Sequence, residues 1–217
     1  MINVSVVNES STETPDRSRR PPLSLWVQWT LANGIGGAIV GALEGGQFQF
    51  FATLVLTGCI LGIAQWLVLR REMRQAGGWI LASTLGWWLG VNLMIGSSGV
   101  LDPIVNWLLS TGALWETFWL NLVKQPVGAI ALGVAQWWVL RRQFRAASWW
   151  VVGSAVGGAV YGSLSAATCA VACQPLSRFG GAILSTAMTY SMGWAGAGAI
   201  TGLVLVWLRQ NRQKVRD

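Results

Sequence analysis

Long apolar runs alternate with short polar breaks along the chain, at 25–43, 48–69, 78–95, about 118–140, 149–167 and 181–208. About 20 apolar residues are enough to cross the hydrocarbon core of a bilayer as a helix, so each run predicts one transmembrane helix. The last run is longer than the core requires and is expected to tilt or project beyond it. Glu44-Gly45-Gly46-Gln47 predicts the first turn, and Gly96-Ser97-Ser98-Gly99 predicts a break after the third helix.

Inside the runs the polar and small positions repeat. Gly62-Ile63-Ala64-Gln65-Trp66-Leu67-Val68-Leu69-Arg70-Arg71 returns as Gly133-Val134-Ala135-Gln136-Trp137-Trp138-Val139-Leu140-Arg141-Arg142, with eight of ten positions identical at an offset of 71. The match continues through Arg74/Arg145, Ala76/Ala147 and Trp79/Trp150, which marks a duplicated structural unit. A degenerate third copy places Gly198 and Thr201 where Gly62 and Gln65 stand, ahead of Arg209. The preceding helix of each unit carries a Trp, a small polar residue and a Gly at spacings of four and seven: Trp29/Asn33/Gly36, Trp79/Ser83/Gly86 and Trp150/Ser154/Gly157.

Spacings of three, four and seven lie on one helical face, and that face should meet other helices. The predicted fold is therefore an all-α integral membrane protein, with six transmembrane helices built as three two-helix units (25–71, 78–142 and 149–209) within a membrane domain at 25–208. Gln65 and Gln136 lie five residues before the arginine pairs, about 7–8 Å along the axis, and Asn33, Ser83 and Ser154 lie about 6 Å beyond Trp residues expected at the bilayer interface. Asn33, Gln65, Ser83, Gln136, Ser154 and Thr201 thus form one candidate polar layer at the cytoplasmic leaflet. It reads either as hydrogen-bonded glue between helices or as the wall of a narrow polar vestibule, with glue the more economical account because no ionised group accompanies the amides.

Composition agrees with lipid as the solvent: 53% of residues are apolar and 11% charged, against about 25% charged in an ordinary soluble domain. Charge then fixes an orientation. Of 15 Lys and Arg residues, all but Lys124 and Arg178 fall in the N-terminal tail (1–24), the segments after the second and fourth runs, and the basic C-terminal tail (209–217). With six crossings these segments share one side, so the positive-inside rule predicts that both termini are cytoplasmic. The net charge of +7 reflects these clusters and gives no reason to expect a nucleic-acid partner. The tail at 1–24 is polar, reads as disordered, and lacks the pattern of a cleaved signal peptide.

Residues 102–116 have no counterpart in the other units. Ile104, Trp107, Leu108 and Thr111 fall at helical spacing, which reads as a short interfacial or re-entrant helix, or as a segment covering the end of the bundle. Lys124 lies about 25 Å before Arg141 along a helix, placing it near the outer interface. Two readings stand for it: a snorkelling cation, or an intramembrane charge facing the bundle.

Chemistry is sparse. There is no His, the carboxylates Glu44, Asp102 and Glu116 fall outside the predicted spans, and Cys169 and Cys173, flanking a predicted connection, lack further ligands for a zinc site. The chain is therefore expected not to be an enzyme, and no catalytic or metal-ligating residue is assigned.

The pattern Gly-x-x-Gln-Trp-x-x-Leu-Arg-Arg, followed by Trp79 or Trp150 in the next helix, resembles that of uncharacterised multi-pass membrane proteins of photosynthetic bacteria. The resemblance covers both full repeats and, loosely, 25–210. It implies a bacterial plasma membrane or thylakoid membrane, with lipid and other membrane proteins as partners. It also raises a chlorophyll-type pigment, since the amide oxygens of Gln65 and Gln136, beside Trp66 and Trp137, suit a magnesium ion. The small residues flanking them favour direct helix packing instead, so no cofactor is assigned. The functional expectation is a structural, accessory or assembly component of a membrane complex, with a small channel or transporter as the alternative.

Overall fold

The computed structural model describes residues 22–48, 52–73, 76–111 and 115–213. Among them every regular element is helical: α1 (Pro22–Gly45), a π-helical turn (Ala52–Leu56) leading into α2 (Thr57–Leu69), α3 (Trp79–Gly96), α4 (Ser98–Ser110), α5 (Glu116–Leu140), α6 (Trp149–Phe179) and α7 (Gly181–Asn211). Helices α3, α5, α6 and α7 are long and apolar enough to cross a membrane. Helix α2 with the turn before it forms a shorter apolar helix, Thr53–Leu69.

Several boundaries differ from the sequence expectation. Helix α1 begins at Pro22, inside the predicted tail, because proline is well suited to a first helical turn, where its missing N–H is not needed. The Gly96–Gly99 break is only a bend at Ser97, and α4 starts at Ser98, ahead of the predicted insertion. Helix α6 runs on through the expected connection at 169–178, with Pro175 inside it. The chain reverses instead at Gly181, whose φ of 64° is open to glycine without strain. Cys169 and Cys173, one turn apart on α6, form a disulfide.

The helices close a ring. α1 packs on α2, α2 on α3, α3 on α5, α5 on α6, and α7 lies between α6 and α1. The seam between α1 and α7 shows an antiparallel register: Trp26 donates to the Ala199 carbonyl, a Cβ at Gly34 would meet that of Ala195 at 3.3 Å, and one at Gly37 would meet Trp194 Cβ at 2.8 Å. Further along, Gly41 lies against the backbone of Thr186 and Ala187. Glycines permit this approach because a side chain would occupy the neighbouring backbone.

The α3–α5 crossing gives a directional test. A Cβ at Gly90 would strike the Gly128 carbonyl oxygen and lie 3.1 Å from its carbon, whereas a Cβ at Gly128 would meet the Gly90 oxygen at an ordinary 3.4 Å. Gly90→Ala is expected to cost about 1–3 kcal/mol, since backbone rather than a rotatable side chain must retreat. Gly128→Ala should stay within about 0.5 kcal/mol. Thermal unfolding of the two variants in one detergent checks the asymmetry.

The exterior is apolar as well as the core. On α1 the exposed stripe Leu23, Val27, Leu31, Ile35 and Ile39 is wholly apolar, while the inward face holds Trp29, Asn33 and several glycines. Exposed Leu81, Leu85 and Leu89 on α3, and Val152 and Val156 on α6, continue this apolar exterior. Such a surface suits an apolar solvent, in which close packing and interhelical hydrogen bonds hold helices together.

Candidate polar core

Three tryptophans define the centre of the ring. Trp29 of α1, Trp79 of α3 and Trp150 of α6 are 0%, 0% and 1% exposed. Their ring centroids lie 6.0 Å apart for Trp29–Trp79, 5.8 Å for Trp29–Trp150 and 5.7 Å for Trp79–Trp150, each pair near-perpendicular. Edge-to-face contact places a positive ring edge on a negative face, and in this triangle each ring contacts both others. The sequence reading puts these residues at the bilayer interface. They are buried on the inward face of their helices, where their N–H groups find partners.

Those partners connect helices that are neighbours around the ring. Trp79 Nε1 donates to Gln65 Oε1 at 2.9 Å, Trp150 Nε1 to Gln136 Oε1 at 3.0 Å, and Trp29 Nε1 to Thr201 Oγ1 at 3.0 Å. The first two links each join a helix to the one just before it around the ring, and the third, across 172 residues, joins α1 to α7. Gln65 Nε2 donates to Asn33 Oδ1 at 2.8 Å, while Gln136 Nε2 donates to Ser83 Oγ at 2.9 Å and to Gln65 Oε1 at 3.2 Å. Asn33 Nδ2 and Ser154 Oγ each donate to the carbonyl one turn earlier, of Trp29 and Trp150, at 2.8 Å.

Glycine spacing makes the approach close enough. A Cβ at Gly62 would meet that of Ser83 at 3.0 Å, one at Gly133 that of Ser154 at 2.6 Å, and one at Gly198 that of Asn33 at 2.7 Å. The three glycines therefore seat equivalent polar residues of the neighbouring helix. The structure brings Asn33, Gln65, Ser83, Gln136 and Ser154 together in buried positions, with Thr201 partly buried beside them. Buried amides without partners are costly in a low-dielectric interior, and this network supplies those partners.

At the same end, the segments following α2 and α5 pack under the triangle through Met73, Ala76, Phe144 and Ala147. Exposed Arg70, Arg71, Arg141, Arg142 and Arg145 surround it. Arg70 stacks 5.1 Å from the Trp66 ring, and Arg141 lies 5.1 Å from Trp137 and 3.4 Å from Trp138, the geometry of cation–π attraction. Arg209 pairs with Glu72 at 3.3 Å, tying the end of α7 to the segment after α2.

Toward the opposite end a second aromatic group forms. Trp194 packs 4.7 Å from Tyr161 and 5.5 Å from Trp87, while the Tyr190 ring lies 6.3 Å from that of Tyr161. Glu44 belongs to the last turn of α1 rather than to a turn outside it, and one oxygen of its carboxylate is buried. Sequence reasoning missed it because the following glycines read as the turn. Lys124 is 21% exposed and engaged: its Nζ lies 2.5 Å from Asp102 Oδ1 and 3.3 Å from Ser98 Oγ, which anchors α4 to α5.

The residues raised for a pigment do not fit one. Both glutamine oxygens accept tryptophan N–H groups, and Gln65 and Gln136 are 5% and 3% exposed. The adjoining cavity is only about 40 Å³.

Fold and core together define an all-α protein with helices suited to a membrane and a buried indole–amide network. No family model, curated protein or solved structure matches the chain.

Proposed function

We propose that the chain is a non-catalytic integral membrane protein that acts as a structural, accessory or assembly component of a membrane complex. On this reading it crosses the bilayer six times as three repeated two-helix units related by a pseudo-threefold axis through the tryptophan triangle, with both termini cytoplasmic. The observation that carries it is the ring of Trp29–Thr201, Trp79–Gln65 and Trp150–Gln136 hydrogen bonds, which commits the polar layer to holding the units together. Further support comes from the exposed rings of Trp88, Trp107, Trp138 and Trp149, which offer a broad aromatic exterior to lipid and neighbouring proteins. The basic residues cluster at the triangle's end of the bundle, and the disulfide-bonded Cys169 and Cys173 lie away from it near the α6–α7 turn, which suits an oxidising outer compartment.

Extraction in mild detergent tests this function. Recovery within a larger membrane complex is the expected result. A monodisperse small protein that passes solute when reconstituted in liposomes would overturn it and favour the channel alternative.

A further inference from the structure

The three corners of the polar layer are built alike but filled unequally. At the first, Leu61 and Gln65 face Gly36 and Asn33, and at the second, Leu132 and Gln136 face Gly86 and Ser83. At the third, α7 presents the shorter Ala197 and Thr201 to Gly157 and Ser154 of α6. A Cβ would have its nearest neighbour at 2.9 Å at Gly36, the Leu61 side chain, at 2.7 Å at Gly86, the Ala135 Cβ, and at 3.4 Å at Gly157, the Ala197 carbonyl oxygen. A cavity of about 40 Å³ reaches this corner from the middle of the ring: Ser154, Gly157, Ala197 and Thr201 line it on this side, and Asn33, Gln65 and Gln136 of the other corners border it as well.

Hydrogen bonding is short at the same corner. Ser83 Oγ receives the Gln136 amide and Asn33 Oδ1 receives the Gln65 amide. Thr201 cannot do this for Ser154, because its single hydroxyl proton goes to the Ala197 carbonyl at 2.8 Å while its oxygen accepts Trp29. Among the described residues no donor reaches Ser154 Oγ. A water site needs about 10–15 Å³ and two to four polar partners, so the cavity has room for roughly three molecules and the lining to hold them.

We propose that ordered water occupies this cavity and gives Ser154 the hydrogen bond that a glutamine amide gives at the other two corners. Larger solutes are excluded by size, and although most of the lining is apolar, the hydroxyls of Ser154 and Thr201 and the Trp194 N–H, which has no partner among the described residues, border it and can hold water. The water is thus a structural member of the layer, standing in for a missing side chain.

The test is a density map of the protein in lipid nanodiscs, at a resolution that shows waters, for the wild type and Thr201→Gln. Density within about 3 Å of Ser154 Oγ in the wild type, absent in Thr201→Gln, is the expected result. Thr201→Gln should also unfold at a temperature no lower than the wild type, whereas Thr201→Val, which strips Trp29 of its acceptor, should unfold several degrees lower. If Thr201→Gln does not fold, xenon pressurisation of crystals of the wild type decides alone: exclusion of xenon supports a hydrated cavity. A wild-type cavity that is empty or takes up xenon, or water density unchanged by Thr201→Gln, overturns the proposal.

Discussion

Replacing Trp150 with alanine is expected to destabilise the bundle by about 3–5 kcal/mol, the range for removing a large buried aromatic. The side chain is 1% exposed, contacts both other indoles of the triangle, and donates to Gln136. In lipid the transfer of the ring out of water contributes little, so the loss comes from packing around the void and from the Gln136 oxygen left without its indole partner. Trp150→Phe separates the two contributions. It keeps an aromatic ring and removes the N–H, and should cost about 0.6–2 kcal/mol, the range for a hydrogen bond between membrane helices. Unfolding titrations in mixed micelles, followed by tryptophan fluorescence and near-ultraviolet circular dichroism, measure both. Equal effects of alanine and phenylalanine would sink the claim that the triangle packs the core.

Gly41→Leu is expected to undo the α1–α7 seam. At Gly41 even a methyl group would strike the Thr186 carbonyl and approach Ala187 Cα at 2.8 Å, so neither a rotamer change nor a small shift accommodates leucine. The cost should exceed about 3 kcal/mol, the upper end for overpacking. Because α1 also carries Trp29 and Asn33, its displacement opens the hydrogen-bonded layer as well. Limited proteolysis and thermal unfolding in detergent should report early release of the N-terminal helix. Gly99→Leu is the control: a Cβ there meets nothing within 4 Å, so a change within about 0.5 kcal/mol is expected.

Much of this arrangement could be read from the chain. The shared spacing of Trp, polar residue and Gly placed Asn33, Gln65, Ser83, Gln136, Ser154 and Thr201 on inward faces, and they lie together. What spacing could not supply was the partner of each side chain. Trp29, Trp79 and Trp150 read as interfacial because tryptophan favours that level, and their burial against one another depends on three helices converging, which no single run shows. The one available signal was their recurrence in register with the polar residues. The α6–α7 turn was misplaced for a related reason: Cys169, Pro175 and Arg178 look like connection in one dimension, yet the helix continues past them to Gly181. Lys124 drew attention as an isolated charge, and its neutralisation by Asp102 arises from a helix whose position no periodicity specifies.

Three separate copies of a two-helix protein, assembled around an axis, would have to present three identical corners, since symmetry repeats every substitution at each. Joining the units in one polypeptide removes that constraint. Ala197 and Thr201 can then differ from Leu61 and Gln65 without altering Leu132 and Gln136, and a feature can exist at one corner alone. The unequal third corner is an asymmetry that covalent linkage permits and a homotrimer could not sustain.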